Sequence, residues 1–427
     1  MRQGASPGSV EQGTSDFRMP FQDLAARASL RLTGAWVAVQ SHKAIRADIE
    51  IKNGLIRSVI PPTGSATGNG CLSVNLDGYL VLPGLINAHD HLEFNLFPRL
   101  GNGPYPNSEA WARDIYHPKS PALREHLSIP KPVRLWWGGI KNLLSGVTSV
   151  CHHNPYEPEV FGKDFPVRVV QRYGWGHSLA FEKDLRRRFA ATPQGAPFII
   201  HLGEGTDEQS ENEIFVLDEI GALSSCTVIV HGVGLTHDGH ALRRRRGAAL
   251  VWCPTSNRFT LGTTLDARFI YPHESLALGS DSALTSQGGL LDEIRAAHNE
   301  EKIRATAIYS MVTDAAASVL RLSGAEGRIH TGAIADLIAV PWIGLSPAET
   351  LVHTDLQSIE LVILSGEPRL FSPNMAERWP SVLRKSFEGI TVGGTTRHVR
   401  ASVRQLLSET RACLSGGVRL AGKEVSV

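Results

Sequence analysis

One short pattern recurs along the middle of this 427-residue chain. Apolar runs alternate with stretches of helical periodicity: Val147-Thr148-Ser149-Val150-Cys151, Val167-Arg168-Val169-Val170, Phe198-Ile199-Ile200-His201, Thr227-Val228-Ile229-Val230-His231, Ala248-Ala249-Leu250-Val251-Trp252 and Leu276-Ala277-Leu278-Gly279. A strand that is apolar on consecutive residues has both faces covered, as in a parallel sheet flanked by helices. The intervening segments supply those helices. Leu135 to Leu144 puts Leu135, Trp136, Ile140, Leu143 and Leu144 on a helical pattern and stops at Gly146. Ser210 and Glu213 read as a capping box ahead of Ile214, Leu217 and Ile220. Repeated units of this kind favour a (β/α)8-type barrel over an open sheet.

The two ends of the chain have another texture. Ala35-Trp36-Val37-Ala38-Val39 and Ala47-Asp48-Ile49-Glu50-Ile51 lead into Asn53-Gly54, a strong hairpin signal between alternating strands. Similar segments return at Gly332 to Val340 and Ile359 to Leu364. The economical division is a flexible tail over 1–28, a small β domain (a β-sandwich) built from 29–83 and 327–400, a barrel over 84–326 between its halves, and a C-terminal helix and tail over 401–427.

Composition excludes several classes. A 42% hydrophobic and 20% charged chain is globular, and a net charge of +1 gives no field to recruit nucleic acid or an anionic membrane. The five cysteines never form Cys-x-x-Cys, so they read as reduced, cytoplasmic thiols. The expected partner is a small molecule, with a homo-oligomer left open.

The polar residues that interrupt the apolar runs fall at one kind of place. Val81 to Ala88 is apolar around Pro83-Gly84 and Asn87, and leads into His89-Asp90-His91. On a strand His89 and His91 share a face, while Asp90 points away. His201, His231 and Asp281 likewise end apolar runs, and in a barrel those ends converge on one mouth. Neutral imidazoles and a carboxylate are a standard set for a divalent metal.

The segments Pro83-Gly84-Leu85-Ile86-Asn87-Ala88-His89-Asp90-His91, His201-Leu202-Gly203-Glu204-Gly205, His231-Gly232-Val233, Cys253-Pro254-Thr255-Ser256-Asn257 and Gly279-Ser280-Asp281-Ser282 resemble the amidohydrolase superfamily. The resemblance is to the branch holding cytosine, guanine, triazine and S-adenosylhomocysteine deaminases and related chlorohydrolases, and it runs from Leu30 to Ala401. It implies a hydrolase with one divalent metal ion, Zn2+ or alternatively Fe2+, held by His89, His91, His201 and Asp281. Glu204 would shuttle a proton to a leaving nitrogen, His231 would steady the reacting centre, and Asp281 would double as base. Hydrolytic deamination of an amino-substituted heterocycle is the first reading. Hydrolysis of a cyclic amide, an imide or a C–Cl bond is the second, and a non-catalytic scaffold the third. The chain departs from the family between Cys151 and Phe198, which has room for one βα unit where two are expected, so the barrel is expected to be irregular around its third and fourth strands. Lys183, the one lysine between Phe165 and Thr192, has no strand-end context for a binuclear site.

Three further features carry weaker expectations. His153, in His152-His153-Asn154-Pro155, faces the mouth as a substrate contact or a structural group. The long segment from Phe94 to Pro130, with Phe97, Tyr105, Trp111 and Tyr116, is expected to be an aromatic lid, Trp111 touching substrate. Arg243 to Arg246 reads as a solvated helix end.

Overall fold

The computed structural model describes residues 29–62, 71–117, 120–270, 275–286 and 288–427; the expected tail over 1–28 lies outside them. The first half of the terminal β unit consists of β1 (Ser29–Gln40), β2 (Lys43–Lys52), β3 (Leu55–Ile60), β4 (Cys71–Asn75) and β5 (Tyr79–Pro83). Asn53 and Gly54 both take left-handed φ, 54° and 75°, so the β2–β3 hairpin turns where the sequence placed it.

Eight short parallel strands follow in chain order: β6 (Leu85–Asp90), β7 (Val147–His152), β8 (Arg168–Val169), β9 (Gly174–Gly176), β10 (Phe198–Leu202), β11 (Thr227–His231), β12 (Ala249–Trp252) and β13 (Leu276–Leu278). Among the described residues they form two arcs, β6-β7-β8 and β9-β10-β11-β12-β13, rather than one closed hydrogen-bonded ring. The architecture is thus barrel-like. The irregularity expected near the third and fourth strands is real, but it takes the form of two minimal strands joined by residues 170–173 with no helix between them.

The chain then returns to the β unit through β14 (Leu337–Pro341), β15 (Leu361–Leu364), β16 (Glu367–Phe371), β17 (Glu388–Val392), β18 (Thr395–Val399), β19 (Arg419–Leu420) and β20 (Lys423–Ser426). Two features add detail to the expected β unit and C-terminal segment. The β unit is one hydrogen-bonded sheet of twelve strands, eleven along one path and β4 beside it on β1. The C-terminal tail is ordered: after the helix Val403–Arg411, β19 and β20 form a hairpin and β20 pairs with β17, covering an otherwise open edge.

Pro83-Gly84 is the handover between units. β5 ends at Pro83 inside the terminal sheet, and β6 begins at Leu85 in the first arc. A Cβ on Gly84 would lie 2.3–2.8 Å from the Thr148 side chain, so only glycine lets β6 pass β7 this closely.

Alternation sorts the arc residues onto two faces. Ile199, Val228, Val230, Val251 and Ala277 share an inner apolar cluster, whereas Phe198, Ile200, Ile229, Leu250 and Leu276 pack outward with the helices. On β6 the pairing with β7 slips between Asn87 and Asp90. Such a bulge re-aims the following side chains. It lets His89 face inward although Ile86 and Ala88 already do so.

Behind the bulge sits a buried polar hub. Asp90 Oδ2 accepts from Lys141 Nζ at 3.0 Å, Asn142 Nδ2 at 2.8 Å and Ser280 Oγ at 3.1 Å, and Asp90 Oδ1 accepts from Asn95 Nδ2 at 2.8 Å. Lys141 lies on the helix Lys131–Leu144 and also donates to Asn95 Oδ1 and to the Asp281 carbonyl. The pair is fully enclosed, so removing one charge strands the other. Lys141→Met is expected to lower the unfolding free energy by about 3–5 kcal/mol in urea titrations. Adding Asp90→Asn to that variant should restore part of the loss; equal loss in the single and double variants would dissociate the pair.

Candidate metal centre and active site

Each candidate ligand is aimed by local structure. His89 and His91 follow the β6 bulge, and His201 ends the inner face of β10 with Ile199 beneath it. His89 Nε2 stands 3.3 Å from His201 Nε2, and His91 Nε2 stands 3.4 Å from the same atom. Asp281 Oδ1 is 3.7 Å from both His89 Nε2 and His91 Nε2. Ligands about 2.1 Å from a tetrahedral metal are separated by roughly 3.4 Å, so these donor spacings fit one ion. A Cβ on Gly279 would fall 2.6 Å from His89 Cβ, so glycine is what lets the end of β13 approach β6.

The charges point the same way. Burial pushes His89 below the usual imidazole range, His91 down to about 4, and His201 well below it. The rings are therefore neutral, with lone pairs available. Asp281 Oδ2 faces the Ser256 and Thr285 hydroxyls at 2.7 and 3.0 Å, and Oδ1 accepts from the Ser282 amide at 2.8 Å. Among the described residues no lysine or arginine neutralises its carboxylate in the way Lys141 neutralises Asp90. A buried carboxylate among neutral imidazoles suits a divalent cation, and the donor set therefore fits the implied metal.

Two further groups face the same centre. By alternation His231 should follow Ile229 outward, but its φ of 74° turns it inward; Asp281 also has a left-handed φ, 49°. Asn257 Oδ1 accepts from His231 Nδ1 at 2.7 Å, which leaves Nε2 facing Glu204 Oε1 at 3.6 Å. Glu204 follows β10; burial raises its pKa, and the neighbouring His231 works against that rise. Ser108 hydrogen-bonds the Glu204 side chain, and the Ser108 amide donates to the Glu204 carbonyl.

A cavity of about 140 Å³ opens on these groups. Trp111 lines it, together with Phe94, Phe181, Leu284 and His177. The segment over the mouth is not an irregular loop: it contains the helices Ser108–Ile115 and Pro121–Ser128. Asn107 caps the first of them by accepting from the Ala110 amide. Among the described lining residues no lysine or arginine occurs. A larger hollow of about 610 Å³ near Arg99, His126 and Arg419 brings no metal donors together.

Other sequence expectations change here. His153 does not reach the cavity; it is fully buried behind His89, with Nδ1 3.3 Å from His89 Nδ1 and Nε2 3.0 Å from the Gly176 carbonyl. The helix Glu208–Glu219 is capped by Asp207 accepting from the Ser210 amide, while Glu213 accepts from the Gly203 amide, so Ser210 and Glu213 form no capping box. Arg243 is buried and donates to the Ala248 carbonyl, whereas Arg244 to Arg246 are exposed. Lys183 is exposed. His177 and Phe181 escaped the sequence reading because β9 is three residues long and has no apolar run to flag its end.

Residues 184–367 match the amidohydrolase family. The chain carries an amidohydrolase family domain. A 5-methylthioadenosine/S-adenosylhomocysteine deaminase from Syntrophobacter fumaroxidans is 26% identical over 384 residues, covering 74% of this chain and 85% of its own length. The corresponding protein of Haloarcula marismortui is 28% identical over 385 residues, with 76% and 88% covered. Among solved structures, a zinc-bound adenosine deaminase from Xanthomonas campestris aligns with a TM-score of 0.64 at 18% identity, covering 80% of this chain and 93% of that one. An atrazine chlorohydrolase variant from Arthrobacter aurescens, complexed with zinc and atraton, aligns with a TM-score of 0.69 at 16% identity, covering 90% and 99%. The two structural likenesses show a shared fold.

Gly279→Ala tests the closeness of β13 and β6. Its Cβ has to displace His89, so metal bound per chain after zinc reconstitution should fall severalfold while the far-ultraviolet dichroism keeps its shape. Full metal loading would mean that the strand end can yield.

Proposed function

We propose that the chain is a metal-dependent hydrolase of non-peptide C–N bonds that deaminates a compact, uncharged amino-substituted heterocycle. One observation carries the reading: four donor atoms converge beside a small cavity that also receives Glu204 and His231. In this reading the eight strands act as a (β/α)8 barrel, and His89, His91, His201 and Asp281 hold one divalent ion, Zn2+ in the first instance and Fe2+ as the alternative. When bound, such an ion lowers the pKa of a coordinated water towards about 7, supplying a nucleophile at neutral pH.

The protein groups divide the remaining work. Glu204 takes a proton on the attacking side and returns it to the leaving nitrogen; its raised pKa suits both directions of transfer. Asp281 is assigned the ligand role alone, because its oxygens already face Ser256, Thr285 and the Ser282 amide. His231, oriented by Asn257 through Nδ1–H, presents an accepting Nε2 that steadies an N–H or O–H of the tetrahedral adduct. Phe94, Trp111 and Phe181 offer apolar surface to a planar ring, and His177 offers it a polar edge. A phosphate or carboxylate would find no cationic partner among the described lining residues, so nucleotides are poor candidates.

The similar proteins named deaminases carry adenosine compounds in their names and one similar structure is an atrazine chlorohydrolase, so a substrate panel starts with aminopurines and adds aminopyrimidines, aminotriazines and a chlorotriazine. Ammonia release from neutral rings, with none from their phosphorylated forms, is the expected result. Chloride or lactam hydrolysis without ammonia would move the assignment to the second reading. Glu204→Gln should keep metal and lose turnover by about 10²–10⁴-fold. His201→Ala should lose the metal itself. Undiminished turnover in the glutamine variant would remove Glu204 from proton transfer.

A further inference from the structure

His89 has a neighbour on each ring nitrogen. Nε2 faces the ligand centre, and Nδ1 faces His153 Nδ1 at 3.3 Å. Two nitrogens at that distance share one proton, and which ring carries it follows from the far side of His153. There Nε2 lies 3.0 Å from the Gly176 carbonyl, which can only accept. His153 therefore carries its hydrogen on Nε2 and presents a bare Nδ1. His89 donates to it from Nδ1, which leaves the His89 Nε2 lone pair directed at Asp281 and His201.

The other two imidazoles lack such a device. His91 Nδ1 and His201 Nδ1 are buried without a hydrogen-bond partner among the described residues. His153 instead gives them a surface: its ring stacks on His201 with centroids 4.1 Å apart at 23°, and on His91 at 5.6 Å and 9°. Its backbone amide donates to the Asp90 carbonyl at 3.0 Å, so it is fixed to the residue between the two β6 ligands.

We infer that His153 is a positioning residue that sets the tautomer of His89 through the relay Gly176 carbonyl, His153, His89, and so readies Nε2 as a metal ligand. The inference rests on the reading of His89 as a ligand. Outer groups that fix a ligating imidazole contribute about 10- to 100-fold in metal affinity. A direct ligand role is the competing assignment, because a donor atom of His153 lies within 4.8 Å of those of His89, His91 and His201.

A matched pair of variants separates these roles. Asn offers an acceptor oxygen near the place of Nδ1, and Leu has a similar branched shape without one. The chelator-stripped chain is titrated with Zn2+ against a competing chelator, and with Co2+ for its visible spectrum. His153→Leu should weaken Zn2+ binding by about 10- to 100-fold. His153→Asn should stay within about threefold of the parent, with the Co2+ bands unchanged, as expected when an outer partner is conserved in kind. Parental affinity in His153→Leu overturns the inference. Equal loss in both variants with altered Co2+ bands also overturns it, in favour of direct ligation; equal loss with unaltered bands reduces His153 to a packing role. His201→Ala is the control: if it binds Zn2+ like the parent, the ligand reading itself is wrong, whereas loss in that variant beside an unaffected His153→Leu isolates the failure to His153.

Discussion

The buried carboxylate of Asp90 underlies both the fold and the site. Its contacts come from the helix that follows the lid segment (Lys141, Asn142), from the turn after β6 (Asn95), and from the strand end opposite (Ser280). An ionised group at zero exposure is tolerated only when its lone pairs are taken and its charge answered, and here both conditions hold. One consequence is positional: the residue between two candidate ligands is anchored outward, which obliges His89 and His91 to face inward. The second is that Lys141 also reaches the Asp281 carbonyl, so one ammonium holds both strand ends that carry the proposed ligands.

The centre has the opposite electrical character. Its carboxylate has hydroxyl, amide and neutral imidazole neighbours but, among the described residues, no ammonium or guanidinium. Two acids 191 positions apart in the chain, Asp90 and Asp281, are thus buried close together in two distinct settings, one internally compensated and one left to be answered by a cation.

Much of this was legible because strand ends announce themselves. An apolar run that stops at histidine or aspartate needs no tertiary knowledge to be noticed, and His89, His91, His201, His231 and Asp281 were all found in that way. What failed was whatever depends on which way a side chain points after the strand ends. His152 and His153 look equivalent in sequence, yet one lies beside Glu93 and the other contacts His89. The inward turn of His231 depends on a left-handed backbone that a valine-rich run does not advertise. His177 and Phe181 follow a strand too short for any periodicity to reveal. The helix cap at Asp207 was misplaced by three residues because aspartate and serine serve that position equally well.

The break of the parallel strands into two arcs has a mechanical consequence. His89, His91 and His153 belong to one arc; His201, His231 and Asp281 belong to the other. At one seam the Ser280 and Asp281 amides both donate to the His89 carbonyl; at the other, His153 reaches Gly176 and Tyr173 reaches the Asn154 carbonyl. Neither seam is a regular ladder. An ion held by the proposed ligands, His89 and His91 on one arc and His201 and Asp281 on the other, would act as a rivet across them, so that occupancy of the centre and the cohesion of the whole barrel would rise and fall together.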